Sequence, residues 1–300
     1  MKPRPVLPST EQSNPRTARL DRLPTRKVLE LLHREDTRVA AAVHRELPRM
    51  ARAVDAIVRA WRGGHRLFYV GAGSSGRLGV LDAAELPPTF RISPRRVQAI
   101  LAGGRGAMFR SVEGAEDSPA QGARDLARRG VRAGDVVVVL TASGSTPYVL
   151  GALDAARRCG AYTIAVTANR RSSAARRAHL ALCPDTGPEA VAGSTRLKAG
   201  TEQKLVLNLL STAAMVRLGH VYRNLMVNVH MSNRKLRERG RRVLQEALGV
   251  SLAEANRLVR AARGNLKAAI TMGRLGISRN EAERRLAATE GHVNRALGEK

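Results

Sequence analysis

A doubly wound α/β fold is predicted for this 300-residue chain: a five-stranded parallel sheet, N-terminal helices and a small C-terminal helical subdomain. Three observations predict it. Short β-rich runs alternate with helical segments through the middle of the chain. The run Val136-Val137-Val138-Val139-Leu140 is apolar without a break, as suits a strand covered on both faces. Two strand-to-helix junctions are rich in glycine and hydroxyl side chains.

Residues 1–25 read as an extended arm, and the proline-rich, charged stretch Met1 to Arg26 lacks the apolar core of a signal peptide. From Thr25 to about Trp61 apolar residues recur at helical spacing (Val28, Leu31, Leu32, then Val39, Val43, Leu47, Ala51, Val54, Ile57, Val58), giving two helices that end at Gly63-Gly64. The strands follow as Arg66–Val70, Val97–Leu101, Asp135–Thr141, Tyr162–Thr167 and Leu180–Cys183, with helices over Gly76–Glu85, Ser118–Arg129 and Pro147–Arg158. Leu86-Pro87-Pro88 is expected to stop the first of these helices, since a residue before proline is pushed out of the helical region. After Pro184 the strands stop. A long helix runs from near Gly200 to Leu218 and another helical stretch from His220 to Leu248. Short helices complete the chain at Ser251–Ala262, Asn265–Met272, Ser278–Ala287 and Gly291–Leu297. Ser251 and Ser278 stand three residues before Glu254 and Glu281, the spacing of a capping box. Three parts are expected: residues 1–60 as arm and helices, 61–220 as the doubly wound α/β domain, and 221–300 as a helical region acting in dimerisation or as a lid.

Composition narrows the function classes. The net charge is +27, with 45 Arg against 7 Lys spread almost evenly along the chain. Aromatic residues are only 3% of the total, so base-stacking platforms are scarce, and nucleic-acid binding ranks low. A positive field instead draws in an anionic metabolite. No apolar run approaches a membrane span, so no membrane partner and a cytoplasmic location are expected. Cys159 and Cys183 read as buried reduced thiols. His220, Asn228 and His230 read as packing or polar-face residues with no third ligand, so no metal site is expected, and the absence of a hydride-handling residue set leaves no redox cofactor expected.

The two junctions carry the chemistry. Gly71-Ala72-Gly73-Ser74-Ser75-Gly76 fits the dinucleotide pattern G-x-G-x-x-G, a weak signal alone. The next strand ends in Ala102-Gly103-Gly104-Arg105, without the acid that a nicotinamide ribose wants, although Arg105 leaves a 2′-phosphate open. The second junction, Ala142-Ser143-Gly144-Ser145-Thr146-Pro147, again sets hydroxyls at a helix start, with Pro147 at the first helical position. Backbone N–H groups and the hydroxyls of Ser74, Ser75, Ser143, Ser145 and Thr146 form phosphate-binding candidates, against the bland alternative of simple helix caps. Glu85 follows the first junction and Glu116 closes the short glycine turn Glu113-Gly114-Ala115-Glu116, and two carboxylates can divide acid and base work. On sequence grounds alone Glu116 is equally well a helix N-terminal charge, with Glu113 competing, and a lone Glu85 reads as a surface carboxylate.

Together the blocks Gly71–Phe90 (GAGSSGRLGVLDAAELPPTF), Ser111–Ser118 (SVEGAEDS), Thr141–Val149 (TASGSTPYV) and Gly187–Thr212 (GPEAVAGSTRLKAGTEQKLVLNLLST) resemble those of the N-acetylmuramic acid 6-phosphate etherases, bacterial enzymes with a sugar isomerase (SIS) domain. The resemblance extends from about Leu20 to the end. It implies cleavage of the D-lactyl ether of N-acetylmuramic acid 6-phosphate by elimination and water addition, giving N-acetylglucosamine 6-phosphate and D-lactate. It maps Glu85 to the proton donor and Glu116 to the second catalytic acid, the base. The hydroxyls of the run Ala192–Thr201, Ser194 among them, either cap the next helix or, as the resemblance implies, line the sugar pocket; Glu189 can touch the sugar, and Lys198 can pair with the phosphate or the lactyl carboxylate. A homodimer is implied, because SIS domains often complete their pockets across a subunit interface. The pattern departs from the family at Ser74 (usually Thr), Leu86 (usually Cys) and Ser145 (usually Arg); the last removes a positive charge beside the phosphate turn. The glucokinase regulatory protein is similar in fold and binds phosphosugars without etherase turnover. A non-catalytic sensor and a sugar-phosphate isomerase are therefore the alternatives.

Overall fold

The computed structural model describes residues 8–229, 231 and 234–299. The chain divides into two compact units, Met1–Ala84 with Arg95–Ser211 and Glu85–Pro94 with Thr212–Lys300.

The first unit is built on a parallel sheet of β1 (Leu67–Gly71), β2 (Val97–Leu101), β3 (Val136–Leu140), β4 (Tyr162–Val166) and β5 (Leu180–Leu182), in the order β2-β1-β3-β4-β5. The doubly wound prediction is borne out, and each strand lies within a residue or so of its expected position. β1 and β3 are buried at every residue, which their unbroken apolar sequences require. Helices α1 (Thr25–His44) and α2 (Leu47–Arg62) belong to this unit. So do α4 (Pro119–Arg128), α5 (Pro147–Arg158) and the one-turn α6 (Ser173–Arg177), which the sequence reading missed. Helix α3 (Gly73–Phe90) starts here, as does α7 (Lys198–Arg217). Leu126, Tyr148, Leu153 and Ala156 of α4 and α5 pack with Phe68, Val70, Val137 and Val139 of the sheet in one apolar core.

Reversal of strand order between β1 and β3 creates a crevice beyond their carboxyl ends, the place where doubly wound sheets bind ligands. The two hydroxyl-rich junctions are the turns that leave those two strands.

The second unit is helical, apart from a hairpin of β6 (Val221–Tyr222) and β7 (Leu225–Met226). The sequence suggested continuous helix from His220. Instead a two-residue Arg223-Asn224 turn, with Arg223 at φ 55°, folds the chain back on itself. Helices α8 (Arg234–Leu248), α9 (Leu252–Ala261), α10 (Leu266–Leu275), α11 (Arg279–Ala288) and α12 (Val293–Ala296) follow, around a core that includes Tyr222, Val227, Leu244, Leu266, Ile270 and Val293. Ser251 and Ser278 cap α9 and α11 by accepting from the N–H groups of Glu254 and Glu281.

Two further expectations are corrected. Pro87 and Pro88 do not end α3, which continues to Phe90. Its last turn is held by tertiary contacts: Asn228 Nδ2 donates to Phe90 O at 2.7 Å, and the buried Phe90 ring meets His220 edge-on at 6.2 Å. Asn228 Nδ2 also lies 2.6 Å from His220 Nδ1, while His230 falls outside the described residues. The N-terminal segment from residue 8 is not an extended arm but three short turns, Ser9–Glu11, Pro15–Thr17 and Leu20–Arg22, bonded to the first unit. Among the described residues no helix is long and apolar enough to cross a membrane.

Candidate active site

The first turn is made by glycine. A Cβ on Gly76 would lie 2.6 Å from Gly71 O, and one on Gly71 would lie 2.7 Å from the Gly76 backbone, so β1 and the first turn of α3 touch main chain to main chain. Gly73 takes φ 53° to make the bend. This places Ser74 and Ser75, half-buried, in the first turn of α3, where backbone N–H groups lack intrahelical partners. About two turns along, Asp82 is buried and accepts from Tyr69 OH (2.9 Å) and Ser211 Oγ (3.1 Å), tying α3 to β1 and α7. Burial raises the Asp82 pKa, although both hydrogen bonds oppose the rise.

The second turn is made by hydroxyls. Gly144 N donates to Thr141 Oγ1 (3.1 Å), which lies 3.0 Å from Thr146 Oγ1. Ser145 donates to Ser143 Oγ from its backbone N–H (3.2 Å) and from its own hydroxyl (3.0 Å). Gly144 sits at φ 72°, where a Cβ would lie 2.1 Å from Ser172 Oγ.

The segment carrying Glu116 is delivered by α4 and α5. A Cβ on Gly122 would lie 2.0 Å from Tyr148 O, and one on Gly151 2.0 Å from Pro119 O, so these helices cross in backbone contact. Tyr148 N then donates to Glu116 O at 2.9 Å, fixing Glu116 beside the start of α5.

Two adjoining cavities result. One of about 490 Å³ is lined by Ser74, Arg77 and the segment Ser111–Asp117. The other, about 380 Å³, brings together Ser74, Ser75, Glu116, Ser143, Ser145 and Thr146, and Asp117 lines both. Glu116 lines both as well and is exposed, while its competitor Glu113 lines only the first. Glu11 and Gly193 also line the second cavity, and the sequence reading had not singled them out for the pocket; Thr195, one of the hydroxyls expected to cap α7 or line the pocket, lines it too.

Four expected residues line neither cavity. Glu85 is exposed on α3. Ser194 is half-buried between the lining residues Gly193 and Thr195. Glu189 is buried and caps α7, accepting from Lys198 N (3.0 Å) and Ala199 N (2.9 Å); burial raises its pKa against those two bonds. Lys198 is fully buried, with Nζ 2.6 Å from Glu35 Oε2 and donating to Thr186 O at 2.9 Å, so its charge is spent inside the protein. Glu35 is held down to about 2, first by hydrogen bonding to Arg16, against its burial, and then by Lys198 and Asn14.

Comparison with known proteins places this arrangement. Residues 49–157 match the glucokinase regulatory protein N-terminal SIS domain, and residues 116–213 match the SIS domain. The chain is 49% identical over 288 residues to the N-acetylmuramic acid 6-phosphate etherase of Salmonella enteritidis PT4, covering 96% of this chain and 97% of that one. The etherases of Salinibacter ruber and Geobacillus thermodenitrificans are each 48% identical, covering 96% of this chain and 93% and 98% of theirs. The chain belongs to the N-acetylmuramic acid 6-phosphate etherase family. A putative phosphosugar isomerase from Bacteroides fragilis, 19% identical with a TM-score of 0.50, covers 66% of this chain and 93% of its own and shares the fold. Within the etherase family, then, the residues to weigh are those that line the crevice between β1 and β3.

Proposed function

We propose that the protein is an N-acetylmuramic acid 6-phosphate etherase, a carbon–oxygen lyase that converts its substrate to N-acetylglucosamine 6-phosphate and D-lactate. The observation that carries this reading is one cavity in which two hydroxyl turns stand beside Glu116, in a chain nearly half identical to etherases over almost its whole length. The phosphate is held by the N-terminal turns of α3 and α5, where N–H groups and the hydroxyls of Ser74, Ser75, Ser143, Ser145 and Thr146 converge. In the ring-opened sugar the aldehyde acidifies the hydrogen on carbon 2, and Glu116 removes it as base. Glu85 protonates the lactyl oxygen as the bond from carbon 3 to oxygen breaks, and D-lactate leaves. Water then adds across the new double bond, its hydroxyl to carbon 3 and its proton to carbon 2.

Glu85 comes to this chemistry from a second copy of the chain. Along α3 the helical rise sets it about 16 Å from Ser74, farther than a hexose phosphate reaches from its phosphorus to carbon 3. A homodimer is supported by apolar side chains left on the same helices: Leu81 and Leu209 are each 40% exposed, and Leu78 and Leu205 flank a groove of about 440 Å³. A phosphorylated substrate and two free cysteines, Cys159 and Cys183, support a cytoplasmic setting.

Incubation with N-acetylmuramic acid 6-phosphate is expected to release D-lactate; binding without release would favour a sensor, and isomerisation without release an isomerase. Mixed dimers test the donor. Glu85→Gln and Glu116→Gln chains, each strongly impaired alone, are expected to regain activity when co-refolded, because one site per heterodimer then has both carboxylates. No recovery in verified heterodimers would place Glu85 with its own chain's cavity or outside the reaction.

A further inference from the structure

A third carboxylate reaches the second cavity, from a part of the chain to which no role has so far been given. Glu11 ends the turn Ser9–Glu11, is exposed, and lines the cavity together with Glu116, Ser143, Gly193 and Thr195. Its position is set by ties distant in sequence. Gly193 N donates to Thr10 O at 3.0 Å, Thr17 Oγ1 donates to Ala190 O at 2.8 Å, and Asn14 Nδ2 donates to Pro188 O at 3.1 Å and to Glu35 Oε2 at 3.0 Å. The N-terminal segment is thus stitched along the loop of residues 188–193. Gly193 takes φ 76°, and a Cβ there would lie 3.3 Å from Glu11 Oε2, so the carboxylate rests against the loop with no side chain between. Among the described residues no Lys or Arg pairs with Glu11, although the chain carries 52 of them. An anion fixed in a cavity and left without a cation by so basic a chain is available to a ligand.

Building on the phosphosugar reading, we propose that Glu11 is a substrate-positioning residue whose carboxylate accepts a hydrogen bond from an uncharged donor of the sugar, a hydroxyl or the amide N–H. An ionised carboxylate offers acceptors only. It repels the phosphate and the lactyl carboxylate, so the donors it can meet are the neutral ones between them. The hydroxyl turns grip the anionic end and Glu11 reads the sugar, so inorganic phosphate gains nothing from it while a sugar phosphate does.

The test compares Glu11→Ala and Glu11→Gln with the unaltered protein. For Glu11→Ala, KM for N-acetylmuramic acid 6-phosphate is expected to rise roughly 10- to 100-fold, the loss of a hydrogen bond to a charged acceptor, with kcat nearly unchanged. Inhibition by inorganic phosphate is expected to stay the same. Glu11→Gln keeps one acceptor oxygen and recovers part of the loss. An unchanged KM would overturn the assignment, and so would equal weakening of substrate and inorganic phosphate, which would mark a collapsed cavity. Calorimetric binding of N-acetylglucosamine 6-phosphate to the same three proteins needs no turnover. A protein that binds this sugar through Glu11 yet releases no lactate would sink the etherase reading and leave the assignment standing.

Discussion

The two turns at the mouth of the crevice reach similar compositions by opposite means. The turn before α3 is shaped by absent side chains: Gly71 and Gly76 let two stretches of backbone meet. The turn before α5 is shaped by present ones, since Thr141, Ser143, Ser145 and Thr146 bond to one another or to the backbone within the turn. Under the proposed function, serine in the first turn has binding alone to do, while serine in the second is also engaged in holding its own turn. Identical residue types in a glycine-rich turn do not carry identical energetic roles.

The largest effect expected here concerns the carboxylate attached to the second turn. Glu116→Gln should lower turnover roughly 10²- to 10⁴-fold, the usual contribution of a positioned acid or base, while sugar phosphate binding survives. Solvent deuterium exchange at carbon 2 should vanish with it; retained exchange would move the base elsewhere.

Gly76→Ala attacks the first turn's means of construction. A methyl group driven to 2.6 Å from Gly71 O and 2.5 Å from Leu101 Cδ1 should cost about 3 kcal/mol, at the upper end of overpacking penalties. Chemical denaturation would show it, and an unshifted midpoint would mean that the strand–helix contact is looser than described.

The contrast is sharpest in a pair of serine replacements. Ser74→Ala should weaken binding by roughly tenfold or less without a change in unfolding, whereas Ser143→Ala should weaken binding similarly and also cost about 1 kcal/mol of stability. Equal stabilities for the two variants would erase the distinction between the turns.

The most gradual effect is acid dependence at Glu35 of α1, to which Asn14 of the N-terminal segment donates. Glu35 has a folded pKa of about 2, below its ordinary value, so its contribution is complete above about pH 4.5 and is withdrawn as pH falls towards 2. Glu35→Gln should be less stable at neutral pH, since Lys198 then sits buried without its counter-charge, and should lose less on acidification. Parallel acid limbs in the two proteins would show that another group governs the loss.

Much of this was legible in the chain itself. Unbroken valines predict a covered parallel strand, and a glycine–serine junction after a strand predicts a turn with exposed N–H groups, because both depend on neighbours close in sequence. What escaped depends on distant partners. Lys198 reads as a free cation until Glu35 is folded against it, and Pro87-Pro88 reads as a stop until Asn228 and His220 brace the turn beyond. Glu11 carried no local signal at all, since its placement comes from the stitching of its segment to residues 188–193.

Where Gly122 and Gly151 let α4 and α5 meet main chain on main chain, no flexible layer of side chains remains to be rearranged. Two helices joined in this way cannot slide past each other in small rotamer-sized increments, so they travel as one beam. The N-terminal strap and its partner loop are joined differently, by a few separate hydrogen bonds that can part and re-form one by one.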